Sequence, residues 1–120
     1  MSTNILYNTA VEATLSVIGG KWKPVILFHL SLGNKRSSEL QRLLPTMSQK
    51  VLTQQLRRLT HDGIIIRIDH HESPLRVEYT LSEFGMTLKP LLRAMCQWGD
   101  DYLRHAHGAD ATVRFAATPP

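Results

Sequence analysis

The chain has one cysteine, Cys96, so neither an intramolecular disulfide framework nor a cysteine-rich zinc site can form. No apolar run approaches the roughly 20 residues that a membrane-spanning helix needs. Near the start, no basic stretch leads into an apolar one, so no secretory leader is expected and the expected location is the cytoplasm. Glycine-rich phosphate loops, nucleophile elbows and His-Glu-x-x-His are absent, and Glu39, Asp62 and Glu78 stand far apart with simpler structural roles. No catalytic residue, cofactor or resident metal is therefore expected, and the chain does not read as an enzyme. Only 7 Gly and 6 Pro occur in 120 residues, which excludes collagen-like and low-complexity classes. A chain of this length buries roughly two-thirds of its unfolded surface, enough for one core without staples.

What the chain does have is charge of one sign in one place. The formal net charge is +4. Residues 21–80 carry ten Lys/Arg against five acids, while the remaining sixty residues sum to −1. A basic middle between near-neutral ends suits a polyanion-binding segment, and charge alone leaves a solvated basic face equally open.

Hydrophobic spacing orders the elements. Val11, Leu15 and Ile18 share one side of a short helix that Gly19-Gly20 stops. Trp22–Leu32 reads as a central helix, with Pro24 in its first turn and apolar residues on most sides. Lys35-Arg36 is a short extended connector. Ser37 or Ser38 is expected to cap a third helix ended by Pro45. After a three-residue turn, Ser48 caps a fourth helix to about Asp62, closed by Gly63, with Leu52, Leu56 and Leu59 as its buried stripe. Two strand-like runs, 64–69 and 76–81, make a hairpin with a tip at 70–75. Ser82 is expected to cap a last helix whose apolar stripe is Leu88, Leu91, Leu92, Met95, Trp98 and Tyr102. Helix, tight turn, helix and hairpin together spell a winged helix-turn-helix.

The fourth helix carries the chemistry. Ser48, Gln49, Lys50, Thr53, Gln54, Arg57 and Arg58 are residue types that read base edges or grip phosphate, and the helix meets no acid until Asp62. The competing reading is an ordinary polar outer face. Double-stranded DNA is the expected partner. Lys35 and Arg36 can clamp phosphate, with Ser37 and Ser38 donating hydroxyls or amides beside them. In the hairpin, Arg67 and Arg76 form a basic edge beside His70 and His71. Arg76 is expected on phosphate or in the minor groove unless it pairs with Glu78 or Asp69, and His71 accompanies it.

The six histidines make poor metal sites. His70 and His71 point to opposite faces of an extended chain, and His105 and His107 lie two apart near a helix end. His29 reads as a partly buried core residue. Cys96, among apolar neighbours, reads as a buried, inert thiol.

The segment Val17-Ile18-Gly19-Gly20-Lys21-Trp22-Lys23 resembles the HxlR-type winged helix-turn-helix regulators of bacteria, which are MarR-like. So do Glu39-Leu40, Leu52-Thr53-Gln54-Gln55-Leu56-Arg57, Asp62-Gly63-Ile64-Ile65 with Arg67, Arg76-Val77-Glu78-Tyr79-Thr80-Leu81, and Trp98. The resemblance spans about residues 11–103. It implies an α+β, mostly helical fold: a winged helix-turn-helix with additional N- and C-terminal dimerisation helices. It further implies a homodimeric transcription factor with Ser48–Asp62 as recognition helix and His70–Arg76 as wing.

Val11, Leu15, Leu88, Leu91, Leu92, Met95, Trp98 and Tyr102 are the expected dimer contacts. Residues 1–10 are expected to be flexible, 11–107 to form the DNA-binding and dimerisation domain, and 108–120 to be a disordered tail. There are departures from the family pattern. Thr9-Ala10 replace the usual Cys-Pro, and in some members that cysteine is the redox sensor. Ser37 replaces an aromatic, and Arg58 and Thr60 stand where acids are usual. A small-molecule or electrophile effector is expected in a cleft near Trp22, Phe28, Met95 and Trp98. Two alternatives remain: an interaction module without specific DNA binding, and a metal-responsive regulator.

Overall fold

The computed structural model describes residues 6–71 and 76–111. Its first helix, α1 (Ala10–Ile18), starts at Thr9, whose side chain accepts from the Glu12 amide while the Glu12 carboxylate accepts from the Thr9 amide at 2.8 Å. That reciprocal pair satisfies two amides that a helix start would leave bare. The central helix, α2 (Lys23–Ser31), buries Ile26, Leu27, His29 and Leu30 and packs on both the sheet and the last helix. It therefore shows little polar-apolar sidedness.

Helix α3 (Ser37–Leu43) has its cap one residue before the first of the two serines expected to provide it. Arg36 holds the capping position in extended backbone, and its amide donates to the Glu39 carboxylate at 2.9 Å. Ser37 and Ser38 consequently lie exposed in the first turn instead of capping it. The tight turn closes with the Met47 amide on the Leu44 carbonyl at 3.1 Å, and Gln41 donates its amide to the Met47 carbonyl. Helix α4 (Gln49–His61) starts where the Ser48 hydroxyl accepts from the Val51 amide at 3.1 Å. It buries Leu52, Leu56 and Leu59 and ends at Gly63, whose φ of +75° is a left-handed turn that glycine adopts without a Cβ clash.

Strands β1 (Ile65–Asp69) and β2 (Val77–Leu81) pair antiparallel in the register Ile65↔Leu81, Arg67↔Tyr79 and Asp69↔Val77. Lys35 adds a third, one-residue strand through two backbone bonds to Tyr79, at 2.7 and 3.0 Å. The connector before α3 is thus tied to the hairpin. Ser82 does not open the last helix. Its hydroxyl accepts from the Gly85 amide at 2.9 Å and donates to the Gly63 carbonyl at 2.7 Å, holding a 3-10 turn (Gly85–Leu88) against the end of α4. The last helix, α5 (Lys89–His107), starts where Pro90 fits a first turn. The result is a mostly helical winged helix-turn-helix around one core, from Ile18 through Leu27, Leu40 and Leu56 to Leu81 and Leu92. Among the described residues, no helix is long and apolar enough to cross a membrane.

Candidate nucleic-acid interface

With Leu52, Leu56 and Leu59 turned inward, helical geometry sends Lys50, Gln54 and Arg57 outward, with Gln49 and Thr53 beside them. All five are exposed. Arg58 is held differently. Its Nε lies 3.4 Å from the Asp62 carboxylate one turn on, so part of its charge is balanced within the helix. The Ser48 hydroxyl is occupied at the cap, which leaves it to set where the helix starts. Lys35 is half-buried, with Nζ donating to the Gly33 carbonyl at 3.1 Å, whereas Arg36, Ser37 and Ser38 are exposed.

In the wing, both acids near Arg76 also meet histidines. His70 Nε2 lies 2.5 Å from Glu78, and the His71 amide donates to Asp69 at 2.9 Å. Arg76 is half-buried at the start of the returning strand. His71 is exposed, with φ of +52°. The rest of the wing tip, 72–75, lies outside the described residues, as do 1–5 and 112–120 of the two terminal segments. Arg67, expected only on the basic edge of the hairpin, faces α4. The structure puts it on the same cleft as Ser37, Thr53 and Arg57. Its position in β1, two residues after the buried Ile65, is the signal that could have found it.

The apolar stripe of α5 divides. Leu91, Met95, Trp98 and Tyr102 recur at helical spacing and are exposed; the Trp98 ring stacks on Tyr102 with centroids 5.6 Å apart. Leu92 does not belong with them. It stands about 100° further round the helix, is only 3 % exposed and fills this chain's own core against α2, away from the solvent-facing row. Leu88, in the 3-10 turn, also packs on the core and is half-buried. On α1, Val11 and Leu15 are exposed while Ile18 is buried.

The expected effector cleft is also only half assembled. Phe28 and Met95 line a groove of about 210 Å³ between α2 and α5, together with Pro24, Val25, Leu92 and Cys96. Trp22 and Trp98 are not among its walls. Trp22 packs on the core under the Lys21 ammonium, 4.6 Å from its ring centroid, and Trp98 faces outward. Cys96 is exposed at this groove, contrary to the buried thiol expected from its apolar neighbours, because the stripe beside it faces away from the chain's core.

A helix-turn-helix with a basic, solvent-facing second helix and a β-hairpin beside it is the architecture of a DNA-binding regulator. Residues 17–107 match the HxlR-like helix-turn-helix family. The chain is 55% identical over 107 residues to the HTH-type transcriptional regulator YtcD of Bacillus subtilis strain 168, covering 89% of this chain and 85% of that one. The redox regulator HypR in its reduced form superposes with a TM-score of 0.78 at 44% identity, covering 84% of this chain and all of that one. Quinone-bound YodB from B. subtilis gives 0.64 at 32%, covering 77% and 97%. The chain belongs to the HxlR-like helix-turn-helix family, and the curated relatives named here are HTH-type transcriptional regulators.

Proposed function

We propose that the protein is a sequence-specific transcriptional regulator that binds a pseudo-palindromic operator as a homodimer. The observation that carries this reading is the exposed face of α4. Lys50, Thr53, Gln54 and Arg57 stand together on a capped helix; Gln is the side chain that pairs bidentately with adenine, and Lys50 and Arg57 set cations beside it. Gln49 and Arg58 flank them. Lys35, Arg36, Ser37 and Ser38 on one side, and His71 and Arg76 in the wing on the other, take the backbone. Two such helices about one helical turn apart, roughly 34–36 Å, would enter successive major grooves.

The dimer in this reading uses Val11 and Leu15 with Leu91, Met95, Trp98 and Tyr102. Six large apolar side chains exposed on two helices are a surface that a second copy would remove from water. Regulation follows from that geometry, since a ligand that prefers one inter-helix angle changes half-site spacing and with it affinity. HypR is a redox regulator with a structure in its oxidized form, and YodB has a quinone-bound structure, which favours an oxidant or electrophile as effector. Thr9-Ala10 stand where the family's N-terminal cysteine would be, so sensing through that thiol is closed to this chain and an effector would act at the Phe28–Met95 groove.

DNA affinity as a function of salt tests the interface. Arg57→Ala and Lys50→Ala should each flatten the slope of log K against log salt by about 0.9. Unchanged affinity and slope in both variants would place the interface elsewhere.

A further inference from the structure

The hairpin breaks its own pattern at one position. Side chains on a strand alternate between faces, so residues 65 and 67 share a face, as do 79 and 81. Ile65 and Leu81 sit directly opposite each other and are buried. Two residues on, the same face carries Arg67 opposite Tyr79. A strand extending the core would hold an apolar residue there; this one turns a guanidinium toward α4. The facing flank of α4 presents Thr53, Arg57 and His61 at i, i+4 and i+8, one above another. Between the two walls lies a cleft of about 500 Å³, floored by Leu56, with no acidic residue lining it. Among the described residues, neither Arg57 nor Arg67 is paired with a carboxylate.

We propose that this cleft is a phosphate-binding seat with Arg57 and Arg67 as its two arms. Two guanidiniums on opposite walls offer forked donors to a tetrahedral oxyanion, which a single lysine would meet only as a point charge. The Tyr79 hydroxyl and the Thr53 hydroxyl add neutral donors. Thr60 does not contribute one, since its hydroxyl already donates to the Leu56 carbonyl at 2.7 Å. Desolvation of the partly enclosed cleft strengthens charge-assisted bonds over those on an open face. The phosphate has two possible sources. One is the DNA backbone flanking the groove that α4 enters, which rests on the function proposed above; the other is free phosphate or a phosphomonoester, which does not.

Two measurements on the full-length protein separate them. In the first, inorganic phosphate is titrated at constant ionic strength while backbone amide and arginine Nε resonances are followed. Saturable shifts at Thr53, Arg57, Arg67 and Tyr79, lost in Arg67→Gln and kept in Arg104→Gln, assign a free-anion seat. In the second, DNA affinity is measured against salt. A loss of about tenfold in Arg67→Gln, the size expected for a charge-assisted bond, assigns a DNA phosphate if the salt slope also flattens by about 0.9. Arg67→Lys should keep the slope and recover only part of the affinity. Should wild-type protein bind no DNA, the function proposed above fails and the phosphate titration alone decides the seat. Absence of saturable shifts, with Arg67→Gln indistinguishable from Arg104→Gln on DNA, overturns the proposal.

Discussion

His29 is the one histidine the fold encloses, at 6 % exposure on α2 with its ring edge-on to Phe28. Burial, and secondarily the Lys35 charge, lower its pKa below the ordinary 6.5. The unfolded chain therefore takes up the proton first as pH falls. The contribution of a neutral His29 to stability is complete above pH 6.5 and is lost as pH drops from there through the folded value. Urea midpoints at pH 7.5 and 5.5 should differ more for wild type than for His29→Leu; equal differences would rule out this role. Gly85 makes a second residue-scale prediction. A Cβ there would sit 2.1 Å from the Ile64 carbonyl oxygen, a backbone atom that cannot swing away. Gly85→Ala should cost about 1–3 kcal/mol by thermal or urea unfolding, the range for overpacking. The enclosure of His29 was legible from its place on a helix with apolar residues on most sides. The close approach at Gly85 was not, because it arises between segments 21 residues apart.

At the scale of elements, caps and spacing carried most of the information. Ser48, Gly63 and the Leu52–Leu56–Leu59 stripe each act locally, and α4 forms with the bounds they imply. Ser48→Ala should lower stability by about 1 kcal/mol, the usual worth of a cap. The same change should weaken DNA binding, since the first turn it orders carries Gln49 and Lys50; full affinity with a normal melting curve would contradict both roles. The start of the last helix was misread for a physical reason. Ser82 does accept from an amide three residues on, as a cap does, but it is also claimed by the Gly63 carbonyl, and only a 3-10 turn follows. Tertiary anchoring overrode a correct local signal. Likewise the α5 stripe was visible as periodic apolar residues, yet periodicity does not say which side meets α2 and which meets solvent. Leu92 went inward and Cys96 outward.

For the whole molecule, one feature stays unsatisfied in a single chain: the exposed row Leu91, Met95, Trp98 and Tyr102, with Val11 and Leu15 on α1. Trp98 is 69 % exposed, so a charge there meets no core of its own chain. Trp98→Glu should leave the fold intact and give the sedimentation mass of one chain, 13.6 kDa, where wild type gives twice that. Its DNA affinity should fall, because two half-sites are then no longer bound together. A wild-type protein that sediments as one chain would remove the dimer from this account. The fold class was readable because helix, turn, helix and hairpin follow one another locally. The effector groove was not, because it depends on how α2 and α5 meet.

Selection of duplexes from a random-sequence pool by the purified, reduced protein tests the central claim most directly. The account predicts enrichment of a two-fold symmetric motif with half-sites about 10 bp apart. That enrichment should vanish in Gln54→Ala, which removes a base-reading side chain and leaves the Arg57 charge in place. Binding without an enriched motif, lost at moderate salt in wild type and variant alike, would reduce the basic face of α4 to non-specific electrostatics and contradict the assignment.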